Sequence, residues 1–178
     1  MNKLGNVPVG GSNPVRLMGI INTSPESFYK KTIVTKKQDL TNLVRKMVDD
    51  GANFIDVGGM STAPYLSTYV TEKEESKRII EAIKIIQNVS NIPISVDTCR
   101  AGVAKDSLEE GAEIINDISG LKYDKKMANI IEKYQPSLIL CAFSKKTITG
   151  NQLKQTKILL KESLSLAKSV NISLKKIV

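Results

Sequence analysis

Leu17-Met18-Gly19-Ile20-Ile21-Asn22-Thr23-Ser24-Pro25-Glu26-Ser27-Phe28 is an apolar run that stops at an amide and two hydroxyls, then turns at a proline. A buried strand carrying this segment brings polar groups to its C-terminal end, where a ligand can meet them. Two later stretches repeat the arrangement: Phe54-Ile55-Asp56-Val57-Gly58-Gly59-Met60-Ser61-Thr62 and Ile94-Ser95-Val96-Asp97-Thr98. Ile114-Ile115-Asn116-Asp117-Ile118 does so again. Strands that end in turn on Asn, Asp or Thr predict one shared site at one end of a parallel sheet.

Between these strands the apolar residues recur at helical spacing. Leu40, Leu43, Val44, Met47 and Val48 follow a capping box at Thr35-Lys36-Lys37-Gln38, and Gly51 ends that helix. Thr71-Glu72-Lys73-Glu74 opens a second helix containing Ile79, Ile80, Ile83 and Ile86. A third holds Val103, Ala104, Ser107 and Leu108 and stops at Gly111; a fourth holds Met127, Ile130 and Ile131. Strand Leu138–Ala142 and a helix over 151–169 come next, and Lys176-Ile177-Val178 reads as the start of another strand.

An internal repeat supports a (βα) array. Asp49-Asp50-Gly51-Ala52-Asn53-Phe54-Ile55-Asp56 and Glu109-Glu110-Gly111-Ala112-Glu113-Ile114-Ile115-Asn116 share one pattern two strand–helix units apart. No GxGxxG follows the first strand, which weakens a dinucleotide-binding sheet. Polar ends on consecutive strands favour the α/β class as a parallel (β/α) barrel of the TIM type, whose site lies on that face. A complete barrel takes about 250 residues and eight strands, whereas this chain supplies about five units and the start of a sixth strand. An incomplete barrel is therefore expected: one domain over 1–178, the N-terminal portion of a longer protein. Residues 1–14 are expected to form a lead-in hairpin, with Gly10-Gly11-Ser12-Asn13-Pro14 as its turn.

Composition bounds the setting. Of 178 residues 41% are hydrophobic, enough for a real core, yet aromatics are 4% with no Trp, so Ile, Leu, Val and Met must fill it. Lys plus Arg number 26 against 18 Asp plus Glu, but the lysines are scattered along helices rather than gathered with aromatics. A solvated basic surface is expected, not a nucleic-acid groove. Cys99 and Cys141 are far apart, no apolar run approaches the about 20 residues needed to span a bilayer, and the N-terminus lacks a secretory apolar region. These point to the cytoplasm. Without His, the available chemistry is that of carboxylates, amides, hydroxyls, backbone groups and bound Mg²⁺.

Four motifs in order resemble those of the dihydropteroate synthase family of pterin-binding barrels: residues 18–28, 51–62, 94–98 and 114–118. That resemblance implies a transferase that condenses 6-hydroxymethyl-7,8-dihydropterin pyrophosphate with para-aminobenzoate or a related arylamine, releasing pyrophosphate, in folate or methanopterin biosynthesis. It implies that Asn22 helps hold Mg²⁺, a hard cation that prefers oxygen ligands and keeps most of its waters. Thr62 and Ser61 would contact the pyrophosphate or shape its loop; Asp97, Asn116 and Asp56 would bind the pterin. A homodimer is a further implication. No catalytic residue is assigned.

Plainer readings stand beside these. Asn22 before Thr-Ser-Pro also suits a turn, Asp56 a backbone hydrogen bond within the barrel, and Asp97 the N-cap of the next helix. Asn116 and Asp117 face opposite ways, and the family pattern selects Asn116, leaving Asp117 a structural role. The cysteines suit packing.

The chain departs from the pattern in two loops. Met60 and Ala63 stand where the family shows Glu and Arg, and Tyr29-Lys30-Lys31 replaces Asp-Gly-Gly, with Lys30 or Lys31 a candidate for the missing charge. An archaeal-type branch shows comparable departures. The family's later Asp-Pro-Gly segment, Lys and Arg/His pair are not in the sequence, so no synthase activity is expected of these 178 residues alone. Two other functions compete: a pterin-binding domain of a methyltransferase using methyl-tetrahydrofolate, and a degenerate non-catalytic paralogue.

Overall fold

Five short strands lie side by side in chain order, every neighbouring pair parallel, in a computed structural model that describes residues 2–24, 37–60, 70–144, 146–147 and 149–178. They are β3 (Met18–Asn22), β4 (Phe54–Gly58), β5 (Ile94–Asp97), β6 (Ile114–Asp117) and β7 (Ser137–Leu140). A doubly wound sheet reverses its strand order at a switch point, whereas this one advances without reversal, as a barrel does. The helices between them are α1 (Lys37–Asp49), α2 (Glu72–Val89), α3 (Ala101–Glu109) and α4 (Met127–Tyr134); α5 (Gln152–Ser169) follows β7.

The array ends as a sixth strand begins. Ile177 pairs in parallel with Leu138, and the Val178 amide donates to the Leu138 carbonyl at 2.9 Å. Strand β7 ends before Ala142 because the chain leaves the sheet at Cys141, whose carbonyl accepts from Ser163 Oγ on α5 at 3.5 Å.

Strand alternation sorts the side chains. The in-register row Ile21, Val57, Val96, Ile115 and Leu138 points toward the helices and joins Leu40 and Val44 of α1, Ile79, Ile83 and Ile86 of α2, and Met127 and Ile131 of α4 in one buried cluster. The lack of aromatics is met by interlocking branched aliphatics, each fully buried side chain contributing about 1.5–3 kcal/mol. The opposite face is the barrel interior. There Ile20, at the free edge of the sheet, is 53% exposed while its row-mates Ser95 and Ile114 are wholly buried.

The lower, N-terminal end of the sheet is covered by an antiparallel hairpin of β1 (Asn2–Leu4) and β2 (Val7–Val9). Leu4 packs on Phe54 and Ile114, and the Gly5 amide donates to Ser137 Oγ at 2.9 Å. Its turn is Gly5-Asn6, not Gly10–Pro14 as the glycine pair suggested. Gly5 has φ +57, the value a two-residue connection reserves for its first central position. Gly10 to Asn13 forms a separate turn on the way to β3.

Caps set the helix starts. Thr71 Oγ1 accepts from the Glu74 amide at 3.2 Å, and Asn151 Oδ1 from the Lys154 amide at 2.9 Å. Glu74 completes no reciprocal box, because its carboxylate pairs with Arg78 at 3.0 Å. The Thr35 cap lies outside the described residues.

Candidate functional site

Register alone brings four positions of the sheet's C-terminal edge into one row: Asn22 opposite Gly58, Gly58 opposite Asp97, Asp97 opposite Asn116. Parallel partners point to the same face, so the amide of Asn22, the carboxylate of Asp97 and the amide of Asn116 share the interior rim. Glycine at 58 makes room for them. A Cβ there would lie 3.3 Å from Asn22 Oδ1 and 3.8 Å from Asp97 Oδ2.

One layer deeper, two residues back along β4, Asp56 is 6% exposed. Its Oδ2 accepts from Asn116 Nδ2 at 3.1 Å, tying the two layers together. Three polar atoms here are buried with no hydrogen-bond partner among the described residues: Asp56 Oδ1, Ser95 Oγ and Asp97 Oδ1. Buried polar atoms are rarely left unsatisfied; Asp56 Oδ1 and Ser95 Oγ sit at paired positions of β4 and β5 below the rim, and Asp97 Oδ1, at the rim itself, is the acceptor a ligand or water can meet.

Burial also sets the charge. It pushes the Asp97 carboxyl up to about 7, with the negative charges of Asp56, Glu75 and Asp117 adding to the effect. Asp56 is raised by burial too, though Ser95 and Asn116 oppose it. Such a carboxylate gains strongly from a ligand that brings N–H donors.

Asp97 caps no helix. The amide of Ala101, first residue of α3, donates instead to Asp124 Oδ2 at 2.9 Å. Asp117 faces away from the rim and accepts from the Ser119 and Leu121 amides at 2.7 and 2.9 Å, which shapes the turn after β6. Burial raises the Cys99 thiol to about 11 and raises Cys141 as well, which removes both from nucleophilic work near neutrality. Ser61 and Thr62, with Ala63, Lys30, Lys31 and the stretch from Pro25 to Phe28, lie outside the described residues.

A second buried group went unforeseen. Glu75 is 1% exposed, accepts from Thr98 Oγ1 at 2.8 Å and pairs with Arg100 Nη1 at 2.7 Å. Arg100 also donates to the Val70 carbonyl at 2.8 Å, and Arg78 to the Gly59 carbonyl at 3.3 Å. The two arginines thus hold both ends of the segment joining β4 to α2. The signal was present in the sequence: Glu75 stands at i−4 and i−8 from Ile79 and Ile83, a carboxylate inside an apolar stripe. Ser95, wholly buried two residues before Asp97 on the same face, was readable from strand alternation in the same way.

A parallel (β/α) sheet with an acid-and-amide rim at its C-terminal edge defines a class of small-molecule-binding barrels. Within it the chain belongs to the pterin binding enzyme family, whose sequence model matches residues 18–178. It is 36% identical over 170 residues to a dihydropteroate synthase of Clostridium beijerinckii, covering 96% of this chain and 63% of that protein. It is 40% identical over 124 residues to the Bacillus subtilis dihydropteroate synthase, covering 70% of this chain and 43% of the other. A solved dihydropteroate synthase of Coxiella burnetii in complex with pteroic acid superposes with a TM-score of 0.82 at 31% identity, over 95% of this chain and 61% of that one. The chain therefore spans under two thirds of the length of these relatives.

Proposed function

We propose that this chain is the N-terminal, pterin-gripping part of a dihydropteroate synthase. Such an enzyme condenses 6-hydroxymethyl-7,8-dihydropterin pyrophosphate with para-aminobenzoate or a related arylamine. The observation that carries this reading is the in-register row Asn22, Gly58, Asp97 and Asn116 above a buried Asp56. A pterin edge offers an exocyclic amine, a ring N–H and acceptor nitrogens. Asp97 accepts from the donors and the Asn116 amide both accepts and donates, each charge-assisted bond contributing about 1.5–3 kcal/mol. In the reaction the arylamine nitrogen attacks the exocyclic methylene carbon, the C–O bond to pyrophosphate breaks, and the amine releases a proton.

Mg²⁺ is the cofactor of this reading. Among the described residues no three His, Cys, Asp or Glu side chains gather to hold a metal. The rim supplies oxygen donors only, and Asn22 Oδ1 lies against the space left by Gly58. A sparse oxygen set fits a cation that keeps its waters and is held mainly by phosphate. Asn22 would be its protein ligand, and the bound ion would neutralise charge on the leaving pyrophosphate. Ser61 and Thr62 are assigned to the same anion.

The protein acts in the cytoplasm and forms a homodimer in this reading. Two unpaired cysteines, and no helix among the described residues long and apolar enough to cross a membrane, are compatible with it. Calorimetric titration with the dihydropterin pyrophosphate, with and without Mg²⁺, tests the function. Metal-dependent binding is expected. Metal-independent binding of methyl-tetrahydrofolate would favour the methyltransferase domain, and no binding a non-catalytic paralogue.

A further inference from the structure

Asn116 reaches the rim by its own strand, but its strand does not say which end of the amide is nitrogen. An asparagine side chain turned by 180° occupies the same volume with donor and acceptor exchanged. Here one hydrogen of Nδ2 is committed to Asp56 Oδ2 at 3.1 Å. Asp56 is almost wholly buried, held mid-strand in β4, and faces Ser95 and Asp97 of β5 and Asn116 of β6 across the interior. An ionised carboxylate only accepts, so it tolerates the amide nitrogen and repels the amide oxygen. The carbonyl oxygen and the second N–H of Asn116 are then left in a fixed order.

We propose that Asp56 is a positioning residue that locks the amide of Asn116 in one sense, so that the rim rejects heterocycles carrying the same groups in swapped positions. This rests on the pterin reading above. It assigns Asp56 the task of setting specificity through Asn116 rather than touching the ligand itself. A site built to pair a given order of donors and acceptors leaves buried groups unpaired when that order is reversed, and discrimination follows from that penalty.

The test compares two isomeric probes, 2-amino-4-oxopteridine and 4-amino-2-oxopteridine, binding to the 178-residue chain and to Asp56→Asn. Asparagine at 56 keeps the shape but offers either a donor or an acceptor to Asn116, which frees its amide to turn. The unchanged chain is expected to prefer the 2-amino-4-oxo isomer by at least about tenfold, and the variant to lose at least about fivefold of that ratio. A merely structural role would weaken both isomers alike and leave the ratio unmoved. An unchanged ratio in a variant that still binds overturns the role of Asp56 and leaves the pterin reading intact. Failure of the unchanged chain to bind either probe overturns both.

A second measurement needs neither variant nor ligand. In ¹⁵N-resolved spectra of the unchanged chain, the two side-chain amide protons of Asn116 should be widely separated. They should move together as the Asp56 carboxyl is protonated on acidification. A degenerate pair that ignores pH would overturn the proposal even if Asp56→Asn did not fold.

Discussion

Arg100 Nη1 lies 2.7 Å from Glu75 Oε2, and this pair, buried at the top of α2, ties three parts of the barrel together. Thr98, directly after Asp97, donates to the same carboxylate, while Arg100 also holds the Val70 carbonyl. A buried ion pair adds little over an apolar pair of the same shape, but removing one partner leaves the other charge stranded. Arg100→Ala is expected to destabilise the chain by about 3–5 kcal/mol. Glu75→Gln, which keeps the acceptor and removes the charge, should cost less. Urea denaturation of the two variants checks the ranking; equal and small losses would show that the network carries no weight.

Asn116 and Asp117 are neighbours that face opposite ways, and substitution should separate the binding role proposed for the first from the structural role of the second. Asp117→Ala strips two buried amides, those of Ser119 and Leu121, of their acceptor. It should cost about 1–3 kcal/mol for each amide. The protein that remains folded should bind a pterin normally. Asn116→Ala leaves one buried acceptor, Asp56 Oδ2, unpaired at a cost of about 1–3 kcal/mol, and should lose pterin affinity by about tenfold or more. Binding isotherms corrected for folded fraction distinguish the two; a binding defect in Asp117→Ala as large as that in Asn116→Ala would refute the division.

The opposite facing of the two was legible in the sequence because strand alternation is a local rule, one residue along β6 reversing the face; the family pattern, not the alternation, selects which of them meets the rim. Equally legible were the repeat of Gly51 and Gly111, both with positive φ just past a helix, and the cap at Thr71. What escaped the sequence is contact between distant segments. The Glu75 partner is 25 positions away, and nothing local names Arg100 over any other cation. The hairpin turn was misplaced for a related reason. Gly10-Gly11 is the stronger turn signal by composition, but the docking of Leu4 on Phe54 and Ile114 fixes the register of β1 and puts the reversal at Gly5. At the rim, the row through Asn22, Gly58 and Asp97 needed the pairing register, which single strands do not reveal.

Gly58 and Gly59 are adjacent, and an added methyl should act through different physics at each. At Gly59 a Cβ would fall 2.9 Å from the Glu75 carbonyl oxygen and from Ile79 Cγ1, forcing β4 and α2 apart. Gly59→Ala should cost about 1–3 kcal/mol by overpacking. At Gly58 the nearest atom is the Oδ1 of Asn22 at 3.3 Å, which can shift by rotating a side chain. Gly58→Ala should leave the thermal midpoint almost unmoved while weakening Mg²⁺-dependent binding of the dihydropterin pyrophosphate. Equal thermal losses in the two variants would contradict this assignment of space.

The raised Asp97 carboxyl gives the rim a pH dependence of definite sign. Its ordinary value is 3.8 and the folded value about 7, with burial the first cause and the charges of Asp56, Glu75 and Asp117 behind it. Between about pH 4 and about pH 7 the folded chain keeps a proton that the unfolded chain has released, so this group's contribution to stability falls as pH rises and levels off above 7. Binding runs the other way. A pterin brings N–H donors that need the ionised carboxylate, so affinity should climb by up to about tenfold per pH unit below 7 and then flatten. Asp97→Asn should bind weakly at every pH and lose this slope, while gaining stability relative to the unchanged chain as pH rises. Calorimetric titrations from about pH 5.5 to about pH 8, run beside urea melts in the same buffers, read both trends. If affinity for the unchanged chain is level across that range, Asp97 does not meet the ligand as a carboxylate.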